Sequence, residues 1–170
     1  MERGWGQGVD ADAEMFFPGA HERELEAYYG AHFLEHLDAL EVTPDAVAIL
    51  EQLQAIGCGT AIVTNTPQDL AVRLLEKARL RPDYALGTSA ELAAKPAPDM
   101  LLRACELVGV GPSECVFLDD LGINLKPAKA MGMTTIKVGA AEPAIAELNQ
   151  RNHSAALSHK GTFVGRFDLR

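Results

Sequence analysis

Two adjacent carboxylates, Asp119 and Asp120, close the apolar run Cys115-Val116-Phe117-Leu118. Neighbouring carboxylates repel, and burying even one is costly. A divalent cation relieves that cost, and all-oxygen ligation suits Mg²⁺. An isolated Asp-Asp pair is more often a solvated turn that caps the next helix. At the end of an apolar strand with a helix to follow, the metal reading gains weight. Lys95 sits in Ala94-Lys95-Pro96-Ala97-Pro98-Asp99. Pro96 biases Lys95 towards an extended backbone, and Pro98 opens a helix. A lysine fixed at a helix entrance can offset the charge of a phosphoryl oxygen or a catalytic carboxylate, although most lysines are simply solvent-exposed. Thr64 closes another apolar run, Thr60-Ala61-Ile62-Val63, and is followed by Asn65. A hydroxyl at a strand tip can donate to a phosphate oxygen, as can N–H groups at a nearby helix N-terminus. Taken alone, Thr64 is also an ordinary β-branched strand residue.

These residues need a frame that brings them together. Apolar spacing from His21 to Leu40 predicts a helix with one buried face. Thr43-Pro44 reads as a helix cap and first residue, with the helix running to about Ile56 and ending at Gly57 and Gly59. Residues 60–65 suit a buried parallel strand. Thr66-Pro67 opens a helix to about Ala78, with Asp69 in a capping-box-like position. A weak strand is expected near Tyr84–Leu86, a helix from Pro98-Asp99 to about Val108 and a strand from Glu114 to Leu118. A helix over Asn124–Met131, a strand over Thr134–Val138 and a helix over Glu142–Gln150 follow. This alternation predicts an α/β layer fold with a parallel sheet, whose ligand lies beyond the carboxyl ends of the strands. Thr64-Asn65 and Asp119-Asp120 both stand at such ends.

The order and spacing of these strings resemble the haloacid dehalogenase superfamily from about Phe16 to Val138. Val63-Thr64-Asn65 is similar to its second motif. Lys95-Pro96-Ala97-Pro98-Asp99 is similar to its third, in the form found in the phosphoglycolate-phosphatase-like branch. The stretch Phe117 to Ala128 is similar to the fourth, in the version found in the phosphatase domain joined to soluble epoxide hydrolases. The resemblance implies an open, doubly wound Rossmann-type sheet with a partial helical cap. It divides the chain into an irregular N-terminus and partial cap over 1–42, an α/β core over 43–150 and a tail over 151–170. It implies an Mg²⁺-dependent phosphatase acting on a small phosphate monoester. Thr64 would then orient the phosphoryl group, and Lys95 would offset its charge. Asn65 would line the pocket, Asp120 would be the direct Mg²⁺ ligand with Asp119 beside it, and Asn124 would sit near the metal loop.

The family's attacking aspartate should follow an apolar strand as Asp-x-Asp. Asp10-Ala11-Asp12 is the one such string here, and Trp5-Gly6-Gln7-Gly8-Val9 before it is not an apolar strand. The reading is therefore of a chain that begins after the first motif and is inactive as it stands. By resemblance, the missing strand leaves a gap between the strands of motifs two and four. Gly161 to Asp168 could fill it, as could a strand from a partner chain or a second copy, but a mobile terminus is the more ordinary fate of such a tail. The rivals are a catalytically dead binding or assembly module, a 2-haloacid dehalogenase and a receiver-like domain. Asp119-Asp120 favours the phosphatase over the dehalogenase, and a receiver also needs a strand-borne aspartate. His32-Phe33-Leu34-Glu35-His36 fits a zinc-peptidase pattern, but no convincing third ligand accompanies it.

Composition limits the partners. The 170 residues carry a formal charge of -9, from 24 acidic and 15 basic side chains. Such a surface repels nucleic-acid backbones, and a phosphorylated metabolite would need a local positive site. No run of about 18 apolar residues marks a membrane span. Cys58, Cys105 and Cys115 have no metal or disulfide spacing, and with no leader-like N-terminus they predict reduced thiols in the cytoplasm.

Overall fold

The computed structural model describes residues 44–139 continuously, together with 17–19, 21–32, 42, 162–165 and the isolated positions 14, 35, 146 and 147. Asp10, Asp12, Thr43, His36 and nearly all of the helix expected over Glu142–Gln150 lie outside the described residues. The elements are α1 Glu22–His32, α2 Pro44–Ala55, β1 Gly59–Pro67, α3 Gln68–Ala78 and β2 Tyr84–Thr88. Then follow α4 Asp99–Val108, β3 Cys115–Asp119, α5 Gly122–Ala130, β4 Thr134–Lys137 and β5 Thr162–Gly165.

The strands form one sheet in the order β2-β1-β5-β3-β4, and every neighbouring pair is parallel. The expected α/β architecture is therefore present. Its strands read as continuous apolar runs because both faces are covered. Ile62, Val116, Leu118 and Ile136 pack with Ile49, Leu50, Leu53 and Leu75 of α2 and α3 on one face. Ala61, Val63, Cys115 and Phe117 point the other way, onto Met100, Leu101 and Ala104 of α4 and Ala128 of α5. The period-two alternation of a strand thus feeds two cores. Helix ends fall where the backbone can turn: Gly57 follows α2 with φ 76°, and Gly109 caps α4 with φ 79°.

Two local expectations need correction. The helix expected after Thr66-Pro67 is present to Ala78, but Pro67 and not Thr66 stands at its cap; β1 continues through Pro67, and Pro67 pairs with Thr88 after a register shift. The strand continues there because β2 offers a partner across a close approach. A Cβ on Gly87 would lie 2.5 Å from the Thr66 carbonyl oxygen, so only glycine lets the two backbones meet. Asp69 accordingly closes no capping box. It lies in the first turn of α3, whose N-cap residue, Pro67, has no side-chain cap, and its charge complements the helix dipole there.

The larger correction concerns the tail. The gap between the second- and fourth-motif strands is not empty: β5 occupies it. Gly59 to Ile62 pair with Thr162 to Gly165 on one side, and Cys115 to Leu118 pair with the same residues on the other. The tail is therefore a central strand over these four residues and not a mobile end. Two facing parallel edges, each with unmet N–H and C=O groups, explain why so short a segment is held.

Candidate active site

In a parallel sheet all carboxyl ends share one rim. Here that rim receives the end of β1, the end of β3 and the connection from β2 to α4 that carries Lys95. Lys95 is 2% exposed and heads the fully buried side chains by volume. Its Nζ lies 2.8 Å from Asp119 Oδ2 and donates to the Val63 carbonyl at 3.0 Å. The ammonium also lies 5.7 Å from the centre of the Phe117 ring, within range of a cation–π attraction. The lysine expected at a helix entrance is thus neither floppy nor solvated. Its backbone leads into Pro96 through a cis peptide.

Asp119 is fully buried. While one oxygen meets Lys95, Oδ1 accepts the Leu121 N–H at 2.8 Å and the Asn124 side-chain amide at 3.0 Å. The first of these bonds forms the turn that launches α5, and Asn124, 1% exposed, reaches back from the helix's first turn. A carboxylate so enclosed is held in one orientation by donors from three segments. Asp120 follows as a half-buried residue at the rim.

Asn65 ties two segments of the rim together. Its carboxamide clamps the main chain of Lys95, donating to the Lys95 carbonyl at 3.0 Å and accepting the Lys95 N–H at 2.7 Å. The two bonds tie the β2–α4 connection to the tip of β1 as a ladder would. Asn65→Ala should therefore lower stability by about 1–3 kcal/mol, because it orphans two main-chain groups beside a buried lysine. Urea unfolding measures this, and a change within about 0.5 kcal/mol would place the variant among ordinary surface substitutions and remove the clamp from the account.

Thr64 stands at the same rim, next to the Val63 carbonyl that Lys95 uses. Its hydroxyl donates to Thr66 Oγ1 at 3.0 Å and accepts the Thr66 N–H at 3.2 Å, so it is engaged along its own strand. The structure therefore brings Thr64, Asn65, Lys95 and Asp119-Asp120 to one place. Sequence reasoning did not find the Val63 carbonyl, the Leu121 N–H or the Phe117 ring, since main-chain groups and ring faces leave no residue-type signal. Of the histidine pattern, His32 and Glu35 are among the described residues. His32 lies 3.4 Å from Glu35, and both are exposed. Among the described residues no group of three or more His, Cys, Asp or Glu could hold a metal ion, and no helix is long and apolar enough to cross a membrane.

A family model for haloacid dehalogenase-like hydrolases matches residues 4–132. The chain belongs to the haloacid dehalogenase-like hydrolases. The chain is also similar in sequence to parts of several characterised proteins. Hexitol phosphatase A of Escherichia coli is 32% identical over 74% of this chain and 60% of its own length. Acyl-CoA dehydrogenase family member 10 of the mouse is 35% identical over 62% of this chain and 10% of its own. The rat bifunctional epoxide hydrolase 2 is 29% identical over 69% and 22%. The chain thus spans three fifths of the length of the bacterial relative and far less of the two mammalian ones. The fold likeness extends to solved structures. A haloacid dehalogenase-superfamily hydrolase of Geobacter sulfurreducens matches with TM-score 0.56 at 21% identity, over 76% of this chain and 62% of that one. A hydrolase of Streptococcus pneumoniae matches with TM-score 0.57 at 17% identity, over 82% and 73%. The hydrolase family and the Rossmann-like sheet therefore rest on sequence and fold together.

Proposed function

We infer that the rim formed by Thr64, Lys95, Asp119 and Asp120 is a phosphate and Mg²⁺ pocket of a hydrolase that acts on small phosphate monoesters in the cytoplasm. The observation that carries this reading is the buried Lys95–Asp119 ion pair at the carboxyl end of the sheet. A buried cation beside a carboxylate is expensive to maintain for stability alone. It is well suited to offsetting charge on a bound phosphoryl group. Hexitol phosphatase A, a relative by sequence, is a phosphatase by name, which favours a phosphate ester over an organic halide.

The donor chemistry fits Mg²⁺ in kind. Hard carboxylate oxygens are present, and Mg²⁺ commonly takes one or two carboxylates and completes its shell with water and phosphate. Asp119 already accepts from Lys95, Leu121 and Asn124, so Asp120 would hold the cation directly and Asp119 would act beside it. When bound, the cation would neutralise phosphoryl charge. Lys95 holds Asp119 in place and lends positive charge to the pocket. Asn65 fixes the height of Lys95, and Thr64 stands ready to orient an anion once its hydroxyl turns from Thr66.

The family resemblance implies an attacking aspartate, and β5, with Thr162, Phe163, Val164 and Gly165, carries no carboxylate. The pocket is therefore read as competent to bind, with little turnover by this chain. A non-catalytic binding module is the second reading, and it rests on the same observation. Calorimetry with inorganic phosphate, with and without magnesium chloride, and a p-nitrophenyl phosphate assay test both. Phosphate binding that needs Mg²⁺ and is lost in Asp120→Ala, with negligible hydrolysis, is the expected result. Absence of phosphate binding in either condition would end the pocket reading. Mg²⁺-dependent hydrolysis abolished by Asp10→Asn would instead assign the nucleophile to the N-terminal Asp-x-Asp.

A further inference from the structure

At the opposite end of β3 from Asp119, the fold places two thiols together that the pocket does not use. Cys105 lies in the last turn of α4 and Cys115 is the first residue of β3. Their sulfurs are 3.6 Å apart, and both side chains are buried. The nine residues between them hold the end of α4, its cap at Gly109, the Val110-Gly111 link and a single 3-10 turn over Pro112–Glu114. We propose that Cys105 and Cys115 are a redox-active dithiol that closes to a disulfide when the chain meets a hydroperoxide.

Geometry supplies the main support. Sulfurs in contact need only a local shift to reach bonding distance, and a ring this short holds the partners at high effective concentration. The Cys115 Sγ also lies 3.5 Å from the Gly111 carbonyl, so this side chain is fixed from both sides. The hydrogen bond with Cys115 stabilises the Cys105 thiolate and draws the Cys105 pKa down, against the opposing effect of burial. That same bond, together with burial, pushes Cys115 well up. One sulfur is thus the better nucleophile, and the other retains its proton for the second step. Access runs through the connecting turn, where Gly109, Ser113 and Glu114 are exposed. Local opening of such a turn is far less costly than global unfolding.

The chemistry balances with the peroxide as the oxidant. The Cys105 thiolate attacks the terminal oxygen, the O–O bond breaks, and Cys105 sulfenic acid forms; the departing alkoxide, or hydroxide from hydrogen peroxide, takes up from water the proton that Cys105 released on ionising. Cys115 then attacks the Cys105 sulfur. The S–S bond forms, the S–O bond breaks, and the hydroxyl leaves as water with the Cys115 proton. Two electrons pass from the sulfurs to the peroxide. Cys58, also buried and not disulfide-bonded, serves as the internal control.

The test uses the full chain, treated with hydrogen peroxide under native conditions, then denatured and alkylated. Two of the three thiols should become protected and return on reduction. Glutamyl cleavage at Glu106 and Glu114 should leave the Cys105 and Cys115 peptides joined until reductant is added. Cys115→Ser should stop at a dimedone-reactive sulfenic acid on Cys105, and Cys105→Ser should protect neither remaining thiol. Should either variant fail to fold, the peptide map of the unaltered chain decides. Three alkylated thiols after native treatment, a bridge to Cys58, or oxidation seen only in urea would overturn the proposal and leave a packed pair of inert thiols.

Discussion

Replacing Lys95 by methionine should cost about 3–5 kcal/mol of folding stability, the loss expected when one member of a buried ion pair is removed. The chain length of the side chain is nearly kept, so little of the effect comes from a cavity. The cost arises at Asp119. It keeps the Leu121 and Asn124 donors, but it loses the cation that balances its charge in a site with no solvent access. Asp119→Asn should be similarly damaging from the other side, since it leaves the ammonium with a carbonyl and a ring face. Marginal stability of about 5–15 kcal/mol for a native domain makes either loss a large fraction of the total. Combining Lys95→Met with Asp119→Asn removes both charges, and the double variant should be much less destabilised than the sum of the two. Urea unfolding of all four proteins provides the cycle. Additive losses would mean that the two groups do not depend on each other, and the ion pair would cease to be the centre of the pocket.

The same pair shows where sequence reasoning reaches and where it stops. The fold was readable because parallel strands buried on both faces become uninterrupted apolar runs, and the runs over residues 60–65 and 115–118 are unmistakable. Strand ends in such sheets gather at one rim, so Thr64 and Asp119 could be placed together, and Lys95 joined them through the family motif that its string resembles. The burial of Lys95 was not, because its partner lies 24 residues away and lysine is rarely enclosed unless paired. The bonds from Asn65 to the Lys95 main chain were not readable for a related reason. A carboxamide at a strand tip can serve a ligand or a backbone equally well, and only the path of the β2–α4 connection decides. The Cys105–Cys115 contact likewise follows from how α4 packs on β3, for which a spacing of ten residues gives no hint.

Ending the chain at residue 160 should abolish the folded monomer, although only one short strand is lost. β5 is the middle of the sheet, and Thr162 to Gly165 are in register with β1 and β3 at once. Its own sequence is a weak strand signal, four residues with a terminal glycine; the demand for it lies in the edges on either side. Without it, the facing N–H and C=O groups of β1 and β3 are orphaned between packed helices. Each such group costs about 1–3 kcal/mol if it stays buried and unpaired, so even a handful exceeds a stability of about 5–15 kcal/mol. The apolar faces of Ala61, Val63, Cys115 and Phe117 would then be held by helices whose sheet has split in two. Aggregation through the open edges is the expected outcome, seen as loss of the monomer peak in size-exclusion chromatography. Phe163→Pro should act in the same direction as the truncation, since proline removes a ladder donor and does not suit a central strand. Phe163→Tyr, which keeps the backbone bonds, should leave a monomer. If the truncated chain instead remains monomeric and unfolds with unchanged cooperativity, β1 and β3 do not rely on the strand between them. The route by which the sheet brings Lys95 and Asp119 to one rim would then have to be sought elsewhere, in the packing of α4 and α5 alone.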